Sequence, residues 1–317
     1  MNFQILGTGS SHPSRSVTND ELAALVETSD EWIRTRTGIH SRYVSTGETM
    51  SDLTAEAALR ALENAGTDAS ELDLILCSTI RGDYLTPSQA CMIQQRIGAS
   101  CPALDINAAC SGFLYALDVA AGYFARGRVK KVLIVSAEML SELVDWTDRA
   151  TCVLFGDGAG AVVLGEGDSL LSIKLSAQGN ADPLYARNVT SNSPFWDQPH
   201  SDCYLHMNGQ EVYRFAVSAM YNDVTEVVSQ AGLTLDDVTY VLPHQANIRI
   251  VETGRKKLGL PPEKVLTNIE THGNISSACI PTLMDEQNRK GVFQRGDILV
   301  LCAFGAGFTT GACVLKW

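Results

Sequence analysis

The two halves of the chain carry the same structural signals in the same order, and this duplication limits the fold more than any other feature. A helix-like stretch, Leu53 to Ala65, ends at Ala65-Gly66 and leads to the apolar strand Leu74-Ile75-Leu76-Cys77. In the second half, Val224 to Ala231 ends at Ala231-Gly232 and leads to Tyr240-Val241-Leu242, an offset of 166 residues. Val132-Leu133-Ile134-Val135 and Ile298-Leu299-Val300-Leu301 keep that offset of 166, whereas Phe155-Gly156-x-Gly158 and Phe304-Gly305-x-Gly307 are 149 apart. The difference places an insertion of 17 residues in the first half, between about Glu138 and Leu154.

Each half thus reads helix, strand, helix, strand, then a Gly-rich turn into a last strand, Ala161–Leu164 or Ala312–Leu315. Strands alternating with helices predict an α/β fold with helices on both sheet faces. Two pseudo-symmetric halves are expected, residues 1–170 and 171–317, with a site where they meet. The stretch Ser176 to Leu205, with three prolines and little periodicity, reads as loop. The Gly-rich turns resemble dinucleotide fingerprints, but strand residues follow where a helix should, so they read as places of close backbone approach.

Composition narrows the partners. The net charge of −12 argues against nucleic acid or an anionic membrane surface, and any anionic ligand needs a local basic patch. Nine cysteines without a C-x-x-C pair fit neither a disulfide framework nor a zinc cage. No metal site is expected. The start, Met1-Asn2-Phe3-Gln4, has no basic segment before a long apolar one, and the apolar run near Ala108 to Ala125 is broken by Asp118. The expected setting is the reducing cytoplasm.

Among the cysteines, Cys110 follows the strand-like Ala103–Ile106 and opens the helix-like Ser111–Leu117. A thiol at a helix N-terminus is favoured as thiolate; by position alone a buried small hydrophobe is the commoner reading. His244 ends the strand before Gln245-Ala246-Asn247, and Asn274 follows His272-Gly273 after Val265–Ile269. Adding the offset of 166 to Cys110 gives Ser276, beside Asn274, and His244 matches Ser78. Pseudo-symmetry then gathers Cys110, His244 and Asn274 at the seam. Such a trio suits thioester chemistry, with a sulfur nucleophile and two donors for an oxyanion or enolate. The same residue types also serve hydrolysis, so chemistry alone leaves the reaction open.

These segments resemble the β-ketoacyl-acyl-carrier-protein synthase III family of the thiolase superfamily. The likeness is carried by Thr28-Ser29-Asp30-Glu31-Trp32-Ile33, Thr35-Arg36-Thr37-Gly38-Ile39, Ala108-Ala109-Cys110-Ser111-Gly112-Phe113, Phe155–Gly160, Pro243–Asn247 and His272-Gly273-Asn274. It implies a thiolase-like five-layered αβαβα fold, a homodimer and a two-step reaction without a cofactor, acyl-CoA being a substrate. Cys110 would take the acyl group. Malonyl-acyl carrier protein would then lose carbon dioxide and attack, with His244 and Asn274 as donors to its thioester oxygen.

The resemblance carries further residues. The backbone N–H groups of Cys110 and Ala306 would form a second oxyanion hole; the family often has three glycines where this chain reads Gly305-Ala306-Gly307, and alanine makes positive φ less accessible. Trp32 and Arg149 would sandwich the CoA adenine, Arg36 would meet a phosphate, and Asn247 the pantetheine arm. Arg214, Arg249, Lys256 and Lys257 would receive the acidic carrier protein, Arg249 most strongly. Thr86 stands where short-primer enzymes often carry an aromatic reaching in from the partner subunit, so longer or bulkier primers are expected. The alternatives are a same-fold condensing enzyme of polyketide or signal-molecule synthesis and an inactive ketosynthase-like scaffold; no motif points to the acidic base of HMG-CoA synthases.

Overall fold

The computed structural model describes residues 2–188, 194–195 and 202–317. The strands are β1 Asn2–Ser11, β2 Ser16–Thr18, β3 Ser41–Tyr43, β4 Leu74–Ser78, β5 Ala103–Ile106, β6 Lys131–Met139, β7 Asp157–Gly167, β8 Leu170–Asn180, β9 Leu184–Ala186, β10 Leu205–Met207, β11 Tyr240–Pro243, β12 Ile298–Gly305 and β13 Gly307–Lys316. The helices are α1 Asn19–Ala23, α2 Asp30–Thr37, α3 Met50–Ala65, α4 Gln89–Ile97, α5 Gly112–Ala125, α6 Arg149–Cys152, α7 Gly209–Gln230, α8 Ile248–Leu258, α9 Ile269–His272 and α10 Cys279–Arg289.

One sheet has the order β1-β7-β6-β4-β5 and the other β8-β13-β12-β11, the same arrangement apart from the edge strand. At that edge the second half makes only a bridge between Val241 and Val265. The central strands are unbroken apolar runs because both faces are covered. Helices α5 and α10 lie between the sheets, where Phe113, Leu114, Leu117, Leu283 and Met284 pack on strands of both. Helices α3 and α4 cover the outer face of the first sheet, and α7 and α8 that of the second. The result is the five-layered thiolase fold.

Several boundaries differ from the expectation, each for a physical reason. The glycines of the repeated motif, apart from Gly156 just before β7, stand within β7, β12 and β13 rather than in free turns: a Cβ on Gly160 would come 2.6 Å from the Thr282 nitrogen, so glycine lets α10 approach. Parts of the stretch read as loop are strands. β8 runs to Asn180, and β9 pairs with β10 through Tyr185 and His206. These are half-exposed pieces whose polar residues hide the alternation; the middle of the stretch, 189–193 and 196–201, lies outside the described residues. The insertion forms a 3-10 turn at Leu140–Glu142 and the short helix α6, capped by Asp148. No described helix is long and apolar enough to cross a membrane.

The two halves also slip by one residue near the seam. Ala109 and Ser276 have φ of +47° and +49°, each opens a three-residue 3-10 turn, and α5 and α10 start at residues 112 and 279. The structural counterpart of Cys110 is therefore Ser277, not Ser276. Helix α9, which has no mate before Cys110, changes the spacing in the second half.

Candidate active site

Cys110 is delivered by the turn between β5 and α5. A left-handed alanine costs about 1–2 kcal/mol, so the turn is held from outside: Asn107 Oδ1 accepts the Ala109 N–H at 3.2 Å, and Thr309 Oγ1 donates to the Ala108 carbonyl at 2.9 Å. Gly305 backs the nucleophile closely; a Cβ there would lie 2.7 Å from the Cys110 nitrogen.

Asn274 comes from the second half but is fixed by the first. Its N–H donates to the Leu154 carbonyl at 2.8 Å, and its carbonyl accepts the Gly156 N–H at 3.0 Å. Its side-chain Oδ1 accepts the Ser276 N–H at 2.8 Å. With the oxygen engaged, the amide NH2 is the end left for the cavity. His244 follows β11, its backbone N–H donating to the Cys302 carbonyl at 2.8 Å, and its ring meets the Phe304 ring edge-on at 5.4 Å. Only 1% of it is exposed, and Nδ1 finds no partner among the described residues. Burial pushes the imidazole down to about 3, so it is neutral at physiological pH.

Cys110, His244, Asn274 and Ala306 line one cavity of about 560 Å³. Its walls include Leu143, Leu205, Phe215 and Phe308, the two rings stacked at 4.0 Å. Volume and polarity suit an apolar chain with a few polar anchors at one end. Burial pushes the Cys110 thiol up to about 12, with the Ser276 hydroxyl acting in the opposite direction. A helix N-terminus is worth about 0.3–1 kcal/mol, less than one pKa unit. Burial thus outweighs the helix end, and Cys110 is held as the thiol rather than as the thiolate expected from its position. Ala306 raises no backbone difficulty, since among the described non-glycine residues only Ala109 and Ser276 have positive φ.

Trp32, on α2, has the Arg149 guanidinium 4.8 Å and the Arg36 guanidinium 4.9 Å from its ring centroid. Arg149 also donates to the Glu27 carbonyl at 2.6 Å. A planar base would enter between indole and guanidinium by parting them. Asn247 lines the cavity and caps α8, its Oδ1 accepting the Arg249 N–H at 2.9 Å. Arg214 on α7 and Arg249, Lys256 and Lys257 on α8 are exposed, whereas Arg255 is held by Glu252 and the Leu260 carbonyl. Thr86 is exposed in the loop before α4, outside the cavity of its own chain. Among the described residues, no group of three or more His, Cys, Asp or Glu could hold a metal ion.

Sequence reasoning missed three residues at the seam. Phe304 was visible in the repeated Phe-Gly motif, where it read as turn punctuation. In the sequence Ser276 stands out only as an equivalent position. Glu138, a charged residue within a run of apolar ones, marks there only the edge of the insertion.

Residues 104–179 match the family model for 3-oxoacyl-[acyl-carrier-protein (ACP)] synthase III, and residues 228–317 match the model for its C-terminal part. A β-ketoacyl-[acyl-carrier-protein] synthase III of Clostridium acetobutylicum is 46% identical over 99% of this chain and 98% of its own length. The chain belongs to the 3-oxoacyl-[acyl-carrier-protein] synthase III family. The crystal structure of such a synthase from Aquifex aeolicus VF5 superposes with a TM-score of 0.93 at 42% identity, covering 99% of this chain and 100% of that one. The priming β-ketosynthase of the R1128 polyketide pathway gives 0.93 at 34% identity, over 99% and 96%. Members of this synthase III family are condensing acyltransferases that start fatty acid chains, and that is the activity of this protein. The inactive-scaffold alternative is set aside.

Proposed function

We propose that Cys110 takes the acyl group from acyl-CoA, and that His244 and Asn274 then donate to the thioester oxygen of malonyl-acyl carrier protein as it loses carbon dioxide and attacks. One observation carries this reading: a thiol from the first half shares an apolar cavity with an imidazole and a carboxamide from the second. A neutral imidazole suits the second step, because it donates a hydrogen bond without readily protonating the carbanion. The N–H groups of Cys110 and Ala306 form the other oxyanion hole, for the acyl carbonyl.

CoA binds with its adenine between Trp32 and Arg149, a phosphate at Arg36 and its arm past Asn247. The carrier protein docks on Arg214, Arg249, Lys256 and Lys257, whose charge offsets the overall acidity. The protein acts as a homodimer on this reading; β5 offers an open strand edge with Leu104 exposed, and the exposed Thr86 would meet the partner's acyl pocket. Thr86 leaves room for primers longer than acetyl. The reducing cytoplasm is the setting that goes with this reading.

Mass spectrometry after mixing with a panel of acyl-CoA primers tests this. The expected result is one acyl group on Cys110, released as a 3-ketoacyl product when malonyl-acyl carrier protein is added. Absence of an adduct with every primer sinks the reading; reaction of acetyl-CoA alone sinks the part assigned to Thr86. The likeness to a polyketide priming enzyme favours one second reading, the same acyl transfer with a polyketide carrier as acceptor. Comparing the two malonyl carriers separates them.

A further inference from the structure

Glu138 is the penultimate residue of β6, is 1% exposed, and has no part in the acyl-transfer reading. Its carboxyl closes the seam between the halves. The Ile80 N–H donates to Oε2 at 3.2 Å from the first half; the Ser276 and Ser277 hydroxyls donate to Oε1 at 3.2 and 3.3 Å from the second. These donors, with the Thr79 hydroxyl, favour the charged carboxylate, while burial favours the protonated form, so the carboxyl is poised between the two. The titratable groups that feel its charge are Cys77 on β4, Cys110, and Cys279 at the start of α10. Beyond it lies a separate cavity of about 280 Å³ that Arg81, Asp83 and Glu142 also line, with Arg81 paired to Glu142. With no cation neutralising it among the described residues, burial pushes Glu138 up to about 8.

Ser276 faces both ways. It bonds Glu138, it faces the Cys110 sulfur, and it lines the acyl cavity. A hydroxyl so placed can pass one proton on while accepting another.

We propose that Glu138, acting through the Ser276 hydroxyl, holds the proton of Cys110 while the sulfur carries the acyl group, and returns it when the product leaves. This role rests on the acyl-enzyme reading above. In the first step the thiol proton moves to Ser276 as the Ser276 proton moves to the Glu138 carboxylate. The sulfur lone pair forms the new S–C bond, and the C–S bond to CoA breaks with its electron pair on the CoA sulfur, which takes a proton from water. In the second step the malonyl carboxylate departs as carbon dioxide and its electron pair forms the C–C bond. The Cys110–acyl bond breaks, leaving a thiolate, and the Glu138 proton travels back through Ser276 to it. Negative charge on Glu138 opposes the thiolate. Handing the proton across means the buried pair never carries two charges at once. Glu138 is thus a positioning residue that stores a proton, while Cys110 does the bond-making.

The test is single-turnover acylation by butyryl-CoA from pH 6 to 9, read by mass of the Cys110 adduct in the full-length enzyme. The wild-type rate is expected to rise with a midpoint of about 8. Glu138→Gln should lower it about 100-fold above that midpoint and abolish the rise, so that the two rates converge towards pH 6. Glu138→Asp should restore a rising limb. Ser276→Ala should copy the Gln profile although its carboxyl is intact, and it decides the matter alone if circular dichroism shows the Gln variant unfolded. A wild-type to variant ratio that stays constant with pH, in either variant, overturns the proton-holding role and leaves the acyl-enzyme reading standing. No adduct in the wild type overturns the acyl-enzyme reading, and this role with it.

Discussion

The turn that carries Cys110 and the turn that carries Ser277 share one backbone. Ala109 and Ser276 are both left-handed, and Asn107 and Asn274 each accept the N–H two residues ahead, at 3.2 and 2.8 Å. Around each turn stand matching positions: Ser78 and His244, then Glu138 and Phe304, each pair 166 residues apart. The side chains diverge. Beside Cys110, His244 and Phe304 border an open cavity, and the imidazole Nδ1 is unpartnered among the described residues. Beside Ser277 the space is filled: its hydroxyl meets Glu138 at 3.3 Å and the Ser78 carbonyl at 3.4 Å. Duplication supplied two strained elbows, and only the one at Cys110 borders a cavity with room for a substrate.

If side chains rather than backbone make the difference, giving the reactive elbow the residue of its counterpart should silence it. Cys110→Ser is expected to lower overall turnover by about 10³-fold or more, since a serine hydroxyl is a far weaker nucleophile without a base tuned to it. The check is steady-state condensation beside a thermal melt that matches the wild type. Activity within tenfold of wild type would erase the contrast between the elbows.

The two asparagines sharpen the comparison. Asn274→Ala removes a donor to the developing oxyanion and is expected to slow condensation by about 10²–10³-fold, with acylation of Cys110 much less affected. Asn107→Ala removes only a support of the nucleophile turn and should cost about 1 kcal/mol of stability. Separate measurement of acylation and malonyl decarboxylation shows the split. Equal losses in both steps for both variants would mean that the asparagines serve only the backbone.

The sequence carried the architecture well because duplication and burial leave strong marks. Apolar runs such as Leu74–Cys77 and Ile298–Leu301 emerged as central strands, and the offset of 166 predicted two matching sheets. That Cys110, His244 and Asn274 meet at one cavity was legible for the same reason, as equivalent strand and helix ends. The one-residue slip that makes Ser277 the mate of Cys110 was not, because α9 changes the spacing without altering composition. Nor was the network at Glu138, whose bonds join residues 138 positions apart and leave no periodic signal. The half-exposed β8 and β9 were hidden by polar residues that an edge strand tolerates and a turn prefers.

The elbows also titrate in opposite senses. His244 is held at about 3 in the fold against 6.5 when free, so unfolding takes up a proton below pH 6.5. Its share of stability is intact above that pH and drains away as pH falls towards 3. Glu138 is held at about 8 against 4.5, so unfolding releases a proton between those values, and its share is intact below 4.5 and lost as pH rises through 8. Either slope is at most about 1.4 kcal/mol per pH unit. Urea unfolding across pH should therefore find Glu138→Gln gaining on the wild type from pH 5 to 8. A flat difference would show that the carboxyl is not proton-linked to folding. His272, held at about 4, adds to the acid slope, so the His244 share is read from the difference between wild type and His244→Gln.

The smallest effect concerns how tightly the reactive elbow is pressed into the seam. Helix α5 starts at Gly112, where the counterpart α10 starts with Cys279, whose sulfur accepts the Ile275 N–H at 3.3 Å. A Cβ on Gly112 would come within 2.0 Å of Ser78 Oγ and 3.2 Å of Ser78 Cβ. Gly112→Ala is therefore overpacked and expected to lose about 1–3 kcal/mol. Ser78→Ala removes the nearer atom, so the double variant should recover much of that loss, the two sites being in contact and non-additive. Urea midpoints of the two singles and the double measure it. Simple additivity would mean that the glycine serves the turn's conformation rather than its fit, yet its φ of −57° is ordinary for any residue, which leaves the approach of Ser78 as the reason that no side chain stands there.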